Sequence, residues 1–403
     1  MSRVVVVGAG HAGGSVAAFL RQFGFEGEIV LIGEEPLVPY QRPPLSKAWL
    51  KGEADFDSLL LRPSEFYAEA GVDLRLGERV VEIDRRLKLV RLSNGEPVSY
   101  DQLVLATGSV THKLPVPGGD HPALLELRTA ADADKLKARL TPGARLIVVG
   151  AGYVGLEVAA SARALGCEAV VVEREARVMA RVASEPLSKF FEAYHRSRGV
   201  EILTGAAVTA IEAQGRAVRL ADGRAVMGEA VLVGIGAAAN DALARSAGLT
   251  CDGGIVVDLE ARTSDPAIFA IGDCTRRPLP LYEARARLES VPNALEQAKQ
   301  AAAAIAGHAA PASEVPWFWS DQYDLKLQMA GLAIGDDRLV VRGDPAEAKF
   351  AVFHLAGERV LAVEAVNAPP EFMAGKQLIA RRTPVDVAKL ADPSVSMKTV
   401  AAG

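Results

Sequence analysis

The sequence has few cysteines, few aromatic residues and no long uninterrupted apolar segment. Its three cysteines, Cys167, Cys251 and Cys274, are far apart in a chain of 403 residues and form no CxxC pair and no zinc-ligand spacing. We therefore expect no disulfide framework, no disulfide-exchange centre and no metal site. No apolar run reaches the roughly 18 residues that span a bilayer, so no membrane span is predicted. No charged leader with an apolar core precedes the first strand-like run, so we expect no secretory signal and a cytoplasmic protein.

The sequence also lacks an excess of positive charge. It has 45 Lys and Arg against 50 Asp and Glu, a net charge of −5, so a nucleic-acid partner is not expected. Apolar residues make up 50% of the chain, enough for a sizeable core. The length allows two or three domains.

A glycine motif that occurs twice is the main feature present. Residues 4–13 (VVVVGAGHAG) recur as residues 146–155 (LIVVGAGYVG). Each copy combines an apolar strand, a GxGxxG turn, a predicted helix (14–24 and 156–166), a second strand and an acidic residue. This order is that of a βαβ unit with a parallel sheet. We call residues 8–13 the first glycine loop and residues 150–155 the second glycine loop.

Two such loops favour two bound dinucleotides. Glycines at these positions make a tight turn, let a pyrophosphate approach the backbone and let helix and strand pack closely. One copy alone would fit a merely close-packed turn equally well. The acids that follow, Glu34 beside Glu35 and then Glu173, can each accept hydrogen bonds from a ribose diol. Glu173 would repel a 2′-phosphate, which favours NADH over NADPH; Arg174 could soften that repulsion, and a solvated loop carboxylate is the alternative for Glu173.

Longer segments resemble a known family, the FAD-dependent ferredoxin reductases of bacterial oxygenase and P450 systems, with apoptosis-inducing-factor-like and rubredoxin reductases as wider relatives. The segments that carry the resemblance are PYQRPPLSK at 39–47, ATG at 106–108, GAGYVGLE at 150–157, FAIGD at 269–273, ESVPNALEQAK at 289–299 and PWFWSDQYDLKLQ at 316–328. The resemblance implies an α/β fold with two Rossmann-like dinucleotide-binding domains, as in glutathione reductase, and a C-terminal α/β domain. It implies an FAD domain at 1–109 and 239–315, an NAD domain at 110–238 and a C-terminal interface domain at 316–403.

The resemblance also implies the residues that bind each cofactor. For FAD they are Gly8, Gly10, Ala12, Gly13, Glu34, Glu35, Arg42, Lys47, Val80, Ala106, Thr107, Gly108, Arg128, Asp273, Val291 and Trp319. For NADH they are Gly150, Gly152, Val154, Gly155, Glu157, Glu173 and Gly236. A helix cap is the alternative for Asp273. One departure is Ala239-Asn240, where the family usually has Pro-Asn; it concerns the local backbone and not the assignment.

The expected reaction is hydride transfer from NADH to FAD, then single-electron transfer to a [2Fe–2S] ferredoxin that supplies a P450 or another oxygenase. Lys47, Glu157 and Trp319 are the expected catalytic residues: Glu157 would hold the nicotinamide carboxamide and pair with Lys47, and the Lys47 cation would stabilise the negative charge of reduced flavin. A simple salt bridge is the alternative. We also expect a strand to place Trp317 and Trp319 on opposite faces.

Docking of an acidic ferredoxin requires a local basic face. Residues 274–303 carry five cations, Arg277 among them, against three glutamates. The expected docking residues are Arg285, Arg287, Lys299, Lys376 and Lys398, with solvated surface charge as the alternative.

Three other functions remain open from the sequence. A rubredoxin reductase would differ only in its electron acceptor. An NADH oxidase or peroxidase would use a redox-active cysteine near the flavin, and Cys274 is the candidate. A flavin-linked NADH sensor would turn over slowly with every one-electron acceptor.

Overall fold

The computed structural model describes residues 2–401. Its strands in chain order are β1 Arg3–Val7, β2 Glu28–Gly33, β3 Val72–Leu76, β4 Val80–Asp84, β5 Leu89–Leu92, β6 Pro97–Ser99, β7 Gln102–Leu105, β8 Ser109–Thr111, β9 Arg145–Val149, β10 Glu168–Val172, β11 Val200–Leu203, β12 Val208–Glu212, β13 Ala217–Leu220, β14 Ala225–Met227, β15 Ala230–Val233, β16 Ala237–Ala239, β17 Ile255–Val256, β18 Ile268–Ala270, β19 Thr275–Leu279, β20 Ala284–Ala286, β21 Trp317–Gln322, β22 Leu325–Gly331, β23 Arg338–Asp344, β24 Lys349–Ala356 and β25 Arg359–Val366.

The α-helices are α1 His11–Gln22, α2 Ala48–Lys51, α3 Ser64–Glu69, α4 Ala130–Lys137, α5 Tyr153–Ala164, α6 Glu185–Ser197, α7 Ala242–Ser246, α8 Val291–Ile305, α9 Pro369–Arg381 and α10 Val387–Ala391. The two predicted helices that follow the glycine loops begin earlier than expected, at His11 and Tyr153. The reason is that Gly10 and Gly152 are the N-cap residues, so the last residues of each glycine motif already form the first helical turn.

The described chain divides into two compact units. The first unit contains residues up to Arg42, Phe56–Val110 and Ala237–Pro316. The second unit contains Pro43–Asp55, Thr111–Gly236 and the residues from Trp317 onward. The three predicted domain boundaries are not tested by this division and remain a prediction.

The first unit is built on a parallel sheet of five strands in the order β18-β7-β1-β2-β3. Its central strands are continuous apolar runs such as Val4–Val7, as expected where a parallel sheet is covered on both faces. Helices α1 and α8 cover one face, with Val16, Leu20 and Ala298 fully buried in the core. The parallel order brings the carboxyl ends of β1, β7 and β18 to one edge, and the first glycine loop follows β1 there.

The second unit contains a parallel sheet, β11-β10-β9-β15, and an antiparallel sheet, β21-β22-β25-β24-β23. One hydrophobic core joins them: Leu156 of α5 and Phe191 of α6 are buried with Leu327 and Phe350 of the antiparallel sheet. The C-terminal strands therefore share a core with the region around the second glycine loop. The C-terminal residues thus combine an antiparallel sheet with helices α9 and α10, in agreement with the C-terminal α/β domain that the resemblance implies.

Candidate functional site

The first glycine loop has the geometry of a tight strand-to-helix turn. Gly8 has φ +110°, and a Cβ there would lie 2.2 Å from the Ala106 carbonyl oxygen. A Cβ on Gly13 would lie 1.8 Å from the Gly8 oxygen, so α1 and β1 can pack only with glycine at that position. At Gly10 the nearest atom to a Cβ is Arg42 Nη2 at 3.9 Å. The backbone at Gly10 is therefore open to a ligand, with a guanidinium close by.

The start of α1 has unsatisfied polar groups. Gly10 offers no side-chain cap to the N–H groups of the first turn, and such groups bind anions readily. His11 Nδ1 is buried without a hydrogen-bond partner among residues 2–401. Burial lowers the pKa of His11 to about 4, against the opposing charge of Asp273, so the ring is neutral at pH 7. An orphaned buried nitrogen and open N–H groups fit a phosphate-containing ligand with further polar atoms.

The acids of the two glycine units are not at equivalent positions. In the first unit the Gly8 N–H donates to the Ile32 carbonyl, and in the second unit the Gly150 N–H donates to the Val172 carbonyl. Gly33 therefore corresponds to Glu173, and Glu34 comes one residue later.

Glu34 and Glu35 differ in their surroundings. The Glu34 side chain is 68% exposed, with Arg79 at 3.3 Å. Glu35 accepts a hydrogen bond from the Tyr40 hydroxyl at 2.6 Å and pairs with Arg42 at 2.7 Å. Glu34 is the more accessible carboxylate, whereas Glu35 holds Arg42 beside Gly10.

The turn after β7, formed by Ala106, Thr107 and Gly108, is fixed by Asn240. The Thr107 hydroxyl donates to the backbone carbonyl of Asn240 at 2.6 Å, and the backbone N–H of Asn240 donates to the Gly108 carbonyl at 2.9 Å. The missing proline at Ala239 thus leaves an ordered backbone, because Asn240 supplies the contacts.

Asp273 lies in a 3-10 turn, Gly272–Cys274, directly after β18 and Ile271. Ser109 Oγ donates to its carboxylate at 3.4 Å. A Cβ on Gly272 would lie 3.1 Å from Ala12 Cβ, so this turn approaches the first turn of α1 closely. Val291 begins α8, where the first N–H groups need partners from outside the helix.

The second glycine loop repeats this geometry in the second unit. Gly150 has φ +106°, and a Cβ on Gly155 would lie 2.3 Å from the Gly150 oxygen. No atom of residues 2–401 lies within 4 Å of the position that a Cβ on Gly152 would take, so the backbone there is open. Val154 is 47% exposed although apolar. Glu173 accepts the Ala151 N–H at 2.7 Å, which places its carboxylate at the loop.

Gly236 lies in the turn that follows β15. Gly236 has φ +105°, and a Cβ there would lie 3.5 Å from Arg181 Nη2. Arg174 pairs with Glu175 at 2.7 Å, and its side chain is 75% exposed.

Four side chains of the second unit form what we call the carboxylate cluster: Ser46, Lys47, Glu157 and Ser320. Glu157 is only 5% exposed. Its Oε2 accepts from Lys47 Nζ and from Ser46 Oγ, both at 2.6 Å, and its Oε1 accepts from Ser320 Oγ at 2.7 Å. The expected pairing of Lys47 with Glu157 is therefore present, as a partly buried ion pair in which the carboxylate receives three donors.

The expectation for the two tryptophans was wrong. Trp317 and Trp319 are both in β21, and residues two apart in a strand share a face. Their ring centroids are 5.7 Å apart at 35°. Lys376 Nζ lies 5.5 Å from the Trp317 ring, and Phe372 packs against it at 5.8 Å. The two indoles form one pair, and both are partly exposed.

Two predicted cofactor residues lie outside the glycine loops. Val80 is at the start of β4 and is 8% exposed, in the core on the second face of the parallel sheet. Arg128 precedes α4 in the second unit, and its backbone N–H donates to Asp132 at 3.3 Å.

The predicted basic face was overestimated at one position. Arg277 is 2% exposed and is bonded to Asn293 and Glu296, because the guanidinium ties β19 to α8. Of the expected docking residues, the ones that are exposed are Arg285, Lys299 and Lys398. Arg287 pairs with Glu289, and Lys376 is partly buried over Trp317.

Sequence reasoning missed several residues that support these sites. Gln297 Oε1 accepts the Gly272 N–H and the Thr275 hydroxyl, each at 2.9 Å, and so fixes the Asp273 turn. Ser46 and Ser320 were also missed. A polar residue at a helix position that should be apolar was the available signal for Gln297, whereas nothing in the sequence pairs Ser320 with Glu157.

Cys274 is fully buried, and burial raises the pKa of its thiol. Residues 2–401 contain no cluster of histidine, cysteine and acidic side chains that could hold a metal ion. Within the same residues no helix has the length and hydrophobicity needed to cross a bilayer.

Comparisons with known proteins agree with this geometry. The family model described as "Pyridine nucleotide-disulphide oxidoreductase" matches residues 2–298, and the one described as "Reductase C-terminal" matches residues 317–401. A probable ferredoxin reductase of Castellaniella defragrans is 53% identical over 403 residues, covering 99% of this chain and 98% of that protein. The putidaredoxin reductase of Pseudomonas putida is 44% identical, covering 99% of this chain and 96% of that protein.

Solved structures give the same result. The covalent putidaredoxin reductase–putidaredoxin complex matches with a TM-score of 0.96 at 44% identity, covering 99% of this chain and 98% of that one. A ferredoxin reductase from Rhodopseudomonas palustris matches with a TM-score of 0.95 at 41% identity over the full length of both chains. These findings confirm the expected fold class and the resemblance. The chain therefore belongs to the pyridine nucleotide-disulphide oxidoreductase family, and within it to the ferredoxin reductases.

Proposed function

We propose that this protein is an FAD-containing ferredoxin reductase that takes hydride from NADH and passes single electrons to a [2Fe–2S] ferredoxin serving a cytochrome P450 or another oxygenase. The observation that carries the proposal is the presence of two open glycine loops, at Gly10 and Gly152, in a chain similar over its whole length to reductases of ferredoxins. FAD, when bound, accepts a hydride from a nicotinamide and releases electrons one at a time. The protein acts in the cytoplasm.

FAD is held by the domain formed by residues 1–109 and 239–315. The N–H groups at the start of α1 and the Arg42 guanidinium bind its pyrophosphate, since both surround the open backbone at Gly10. Glu34 accepts the ribose hydroxyls, because it is the accessible acid. Asp273 binds the ribityl chain and Val291 offers its N–H to the pyrimidine end. Val80 and Arg128 contribute on the adenine and phosphate side, as the resemblance suggests.

NADH is held by the domain formed by residues 110–238. The start of α5 binds the pyrophosphate, and Gly236 lines the turn beside it. Glu173 has its carboxylate fixed at the loop and accepts hydrogen bonds from the ribose diol. Its negative charge opposes a 2′-phosphate, so NADH is preferred over NADPH. Arg174 does little to reverse this, because it already pairs with Glu175.

Lys47 and Glu157 act together during hydride transfer. The Lys47 ammonium, 18% exposed, would stabilise negative charge on a bound flavin, since a cation is most effective where water is largely excluded. Glu157 keeps Lys47 oriented and binds the nicotinamide carboxamide. Trp319, paired with Trp317 in the C-terminal domain of residues 316–403, contributes an aromatic face against the flavin ring. Replacing Lys47 by Met should slow flavin reduction by NADH, and an unchanged rate would contradict this role.

The ferredoxin docks through the basic residues Arg285, Arg287, Lys299, Lys376 and Lys398. Three of them, Arg285, Lys299 and Lys398, are exposed, and exposed cations increase the association rate with an acidic partner, an effect that salt screens. Reduction of cytochrome c through the ferredoxin should therefore weaken steeply with salt, whereas reduction of ferricyanide should not. An equal response of both reactions would argue against this face.

The structure weighs against a cysteine-based NADH oxidase, because Cys274 is inaccessible and its raised pKa disfavours the reactive thiolate. The decisive test is stopped-flow reduction of the purified yellow protein by NADH and by NADPH without oxygen, followed by mixing with a [2Fe–2S] ferredoxin and, separately, a rubredoxin. We expect rapid reduction by NADH and faster transfer to the ferredoxin. Persistence of the oxidised flavin spectrum after NADH addition would refute the proposal.

A further inference from the structure

A line of buried polar side chains extends from Glu157 away from Lys47, all of it within the second unit. Ser320 Oγ lies 2.7 Å from Glu157 Oε1, and Gln322 Nε2 lies 3.1 Å from Ser320 Oγ. Gln322 Oε1 lies 2.7 Å from His195 Nε2, and the Tyr323 hydroxyl lies 3.5 Å from His195 Nδ1. Ser320 and Gln322 are each 1% exposed and His195 is completely buried.

The position of each proton in this line follows from the one before it. Glu157, paired with Lys47 at 2.6 Å, is a carboxylate and only accepts, so the Ser320 hydroxyl donates to it. Ser320 must then accept from the Gln322 amide NH₂, which turns the Gln322 carbonyl toward His195. A carbonyl only accepts, so His195 carries its proton on Nε2. Its unprotonated Nδ1 faces the Tyr323 hydroxyl.

The imidazole is held in this form by its surroundings. Burial lowers the pKa of His195 to about 4, the hydrogen bond with Gln322 opposes that shift, and the positive charge of Arg198 adds to it. The ring is therefore neutral at any pH at which the enzyme is expected to work. A charged ring would direct its second proton at the Tyr323 oxygen, 3.5 Å from Nδ1.

We propose that Ser320, Gln322 and His195 are positioning residues that hold the Glu157 carboxylate, through hydrogen bonds of one fixed direction, in the orientation used for hydride transfer. This inference rests on the proposed function of the Lys47–Glu157 pair. The line does not conduct protons, because the Gln322 amide cannot pass a proton without becoming an imidic acid. Its effect is instead on geometry: it fixes the plane of the Glu157 carboxylate, with one oxygen bonded to Ser320 and the other to Lys47 and Ser46.

The substitution that tests the line is His195→Leu, which removes the donor to Gln322 and lets the amide rotate. Its rescue variant is His195→Gln, whose side-chain NH₂ reaches about where Nε2 stands. Phe191→Leu is the matched control, since Phe191 is completely buried one turn earlier on α6 and makes no polar contact with the line. Gln322→Met is a second disruption from the other side, should His195→Leu not fold.

Stopped-flow reduction over a range of NADH concentrations separates positioning from stability. We expect His195→Leu and Gln322→Met to lower the limiting rate constant about fivefold, the effect of one hydrogen bond between neutral groups. NAD⁺ affinity, measured by calorimetry, should change less than about twofold, because the adenosine half is bound elsewhere. His195→Gln should recover most of the rate. Phe191→Leu should lower the melting temperature and leave the rate constant near that of the parent.

A second measurement reports the proton positions directly and does not depend on enzyme activity. In ¹H–¹⁵N spectra of the parent holoenzyme, His195 should show the Nε2–H tautomer with no titration down to about pH 5. The Nδ1–H tautomer, or titration near 6.5, would overturn the deduced proton positions. Equal rate loss in Phe191→Leu and His195→Leu would also overturn the proposal. If the parent enzyme itself is not reduced by NADH, the proposed function fails, and the spectra still decide the direction of the hydrogen bonds.

Discussion

Gly152→Ala separates the binding of NADH from the stability of the fold. Gly152 is the N-cap of α5, with φ −77° and ψ −179°, a conformation that alanine adopts without strain. Within the described part of the chain, no atom lies within 4 Å of the position that the alanine Cβ would take. The free protein should therefore accept the methyl group, whereas a pyrophosphate that needs the open backbone should not.

The magnitude follows from the contacts that the methyl group would displace. The N–H groups at the start of α5 have no side-chain cap, so a phosphate would be their charged acceptor. A hydrogen bond to a charged group contributes about 1.5–3 kcal/mol. Losing one such bond raises KM for NADH about 10- to 150-fold at an unchanged kcat, because substrate and transition state lose it equally.

The assay is steady-state reduction of ferricyanide at varied NADH, together with FAD content and melting temperature. FAD content should stay at one per chain and the melting temperature should move by less than about 2 °C, as expected of a change that touches no neighbour. Gly155→Ala is the matched control, because its Cβ would lie 2.3 Å from the Gly150 oxygen. That variant should lose stability before it loses NADH affinity.

The reasoning would be refuted by a Gly152→Ala enzyme with an unchanged KM for NADH. Loss of FAD from this variant would be equally damaging, because it would assign the second glycine loop to the flavin.

Three further predictions concern specificity, redox chemistry and pH. Replacing Glu173 by Gln should raise the ratio of kcat/KM for NADPH to that for NADH about tenfold, since it removes a carboxylate fixed at the loop; no change in the ratio would place the discrimination elsewhere. Replacing Cys274 by Ala should leave NADH-dependent turnover within about twofold, because the thiol is buried, and anaerobic thiol titration of the reduced enzyme should find no newly exposed group. His354 is buried, which disfavours its charge, but Glu364 and Asp336 outweigh burial and raise its pKa above 6.5. The ion pairs of protonated His354 therefore stabilise the fold fully below pH 6.5, and this stabilisation is lost as the pH rises through the raised pKa of His354. Over that rise the melting temperature should fall by roughly 2 °C in the parent and stay level in a His354→Gln variant.

Much of the architecture could be predicted from the sequence because it depends on local rules. The two strand–glycine–helix units follow from apolar runs beside glycines, and Gly8 and Gly150 are glycine because their backbones have φ above +100°. Helix starts were misjudged by three residues, since the glycine itself is the cap. The two tryptophans were misjudged because they were expected on opposite faces, whereas residues two apart in a strand share one face.

The sequence by itself determined the two glycine loops, their strands and the type of ligand they suit, since these depend on residues within about 30 positions of one another. Only the tertiary structure decided what Glu157 contacts, because Ser46, Lys47 and Ser320 come from segments more than 100 residues away. The same holds for the line from Ser320 through Gln322 to His195, and for the burial of Arg277 that removes it from the basic face. The direction of a hydrogen bond and the exposure of a charge depend on which segments pack together, and packing brings together residues whose separation in sequence carries no local pattern.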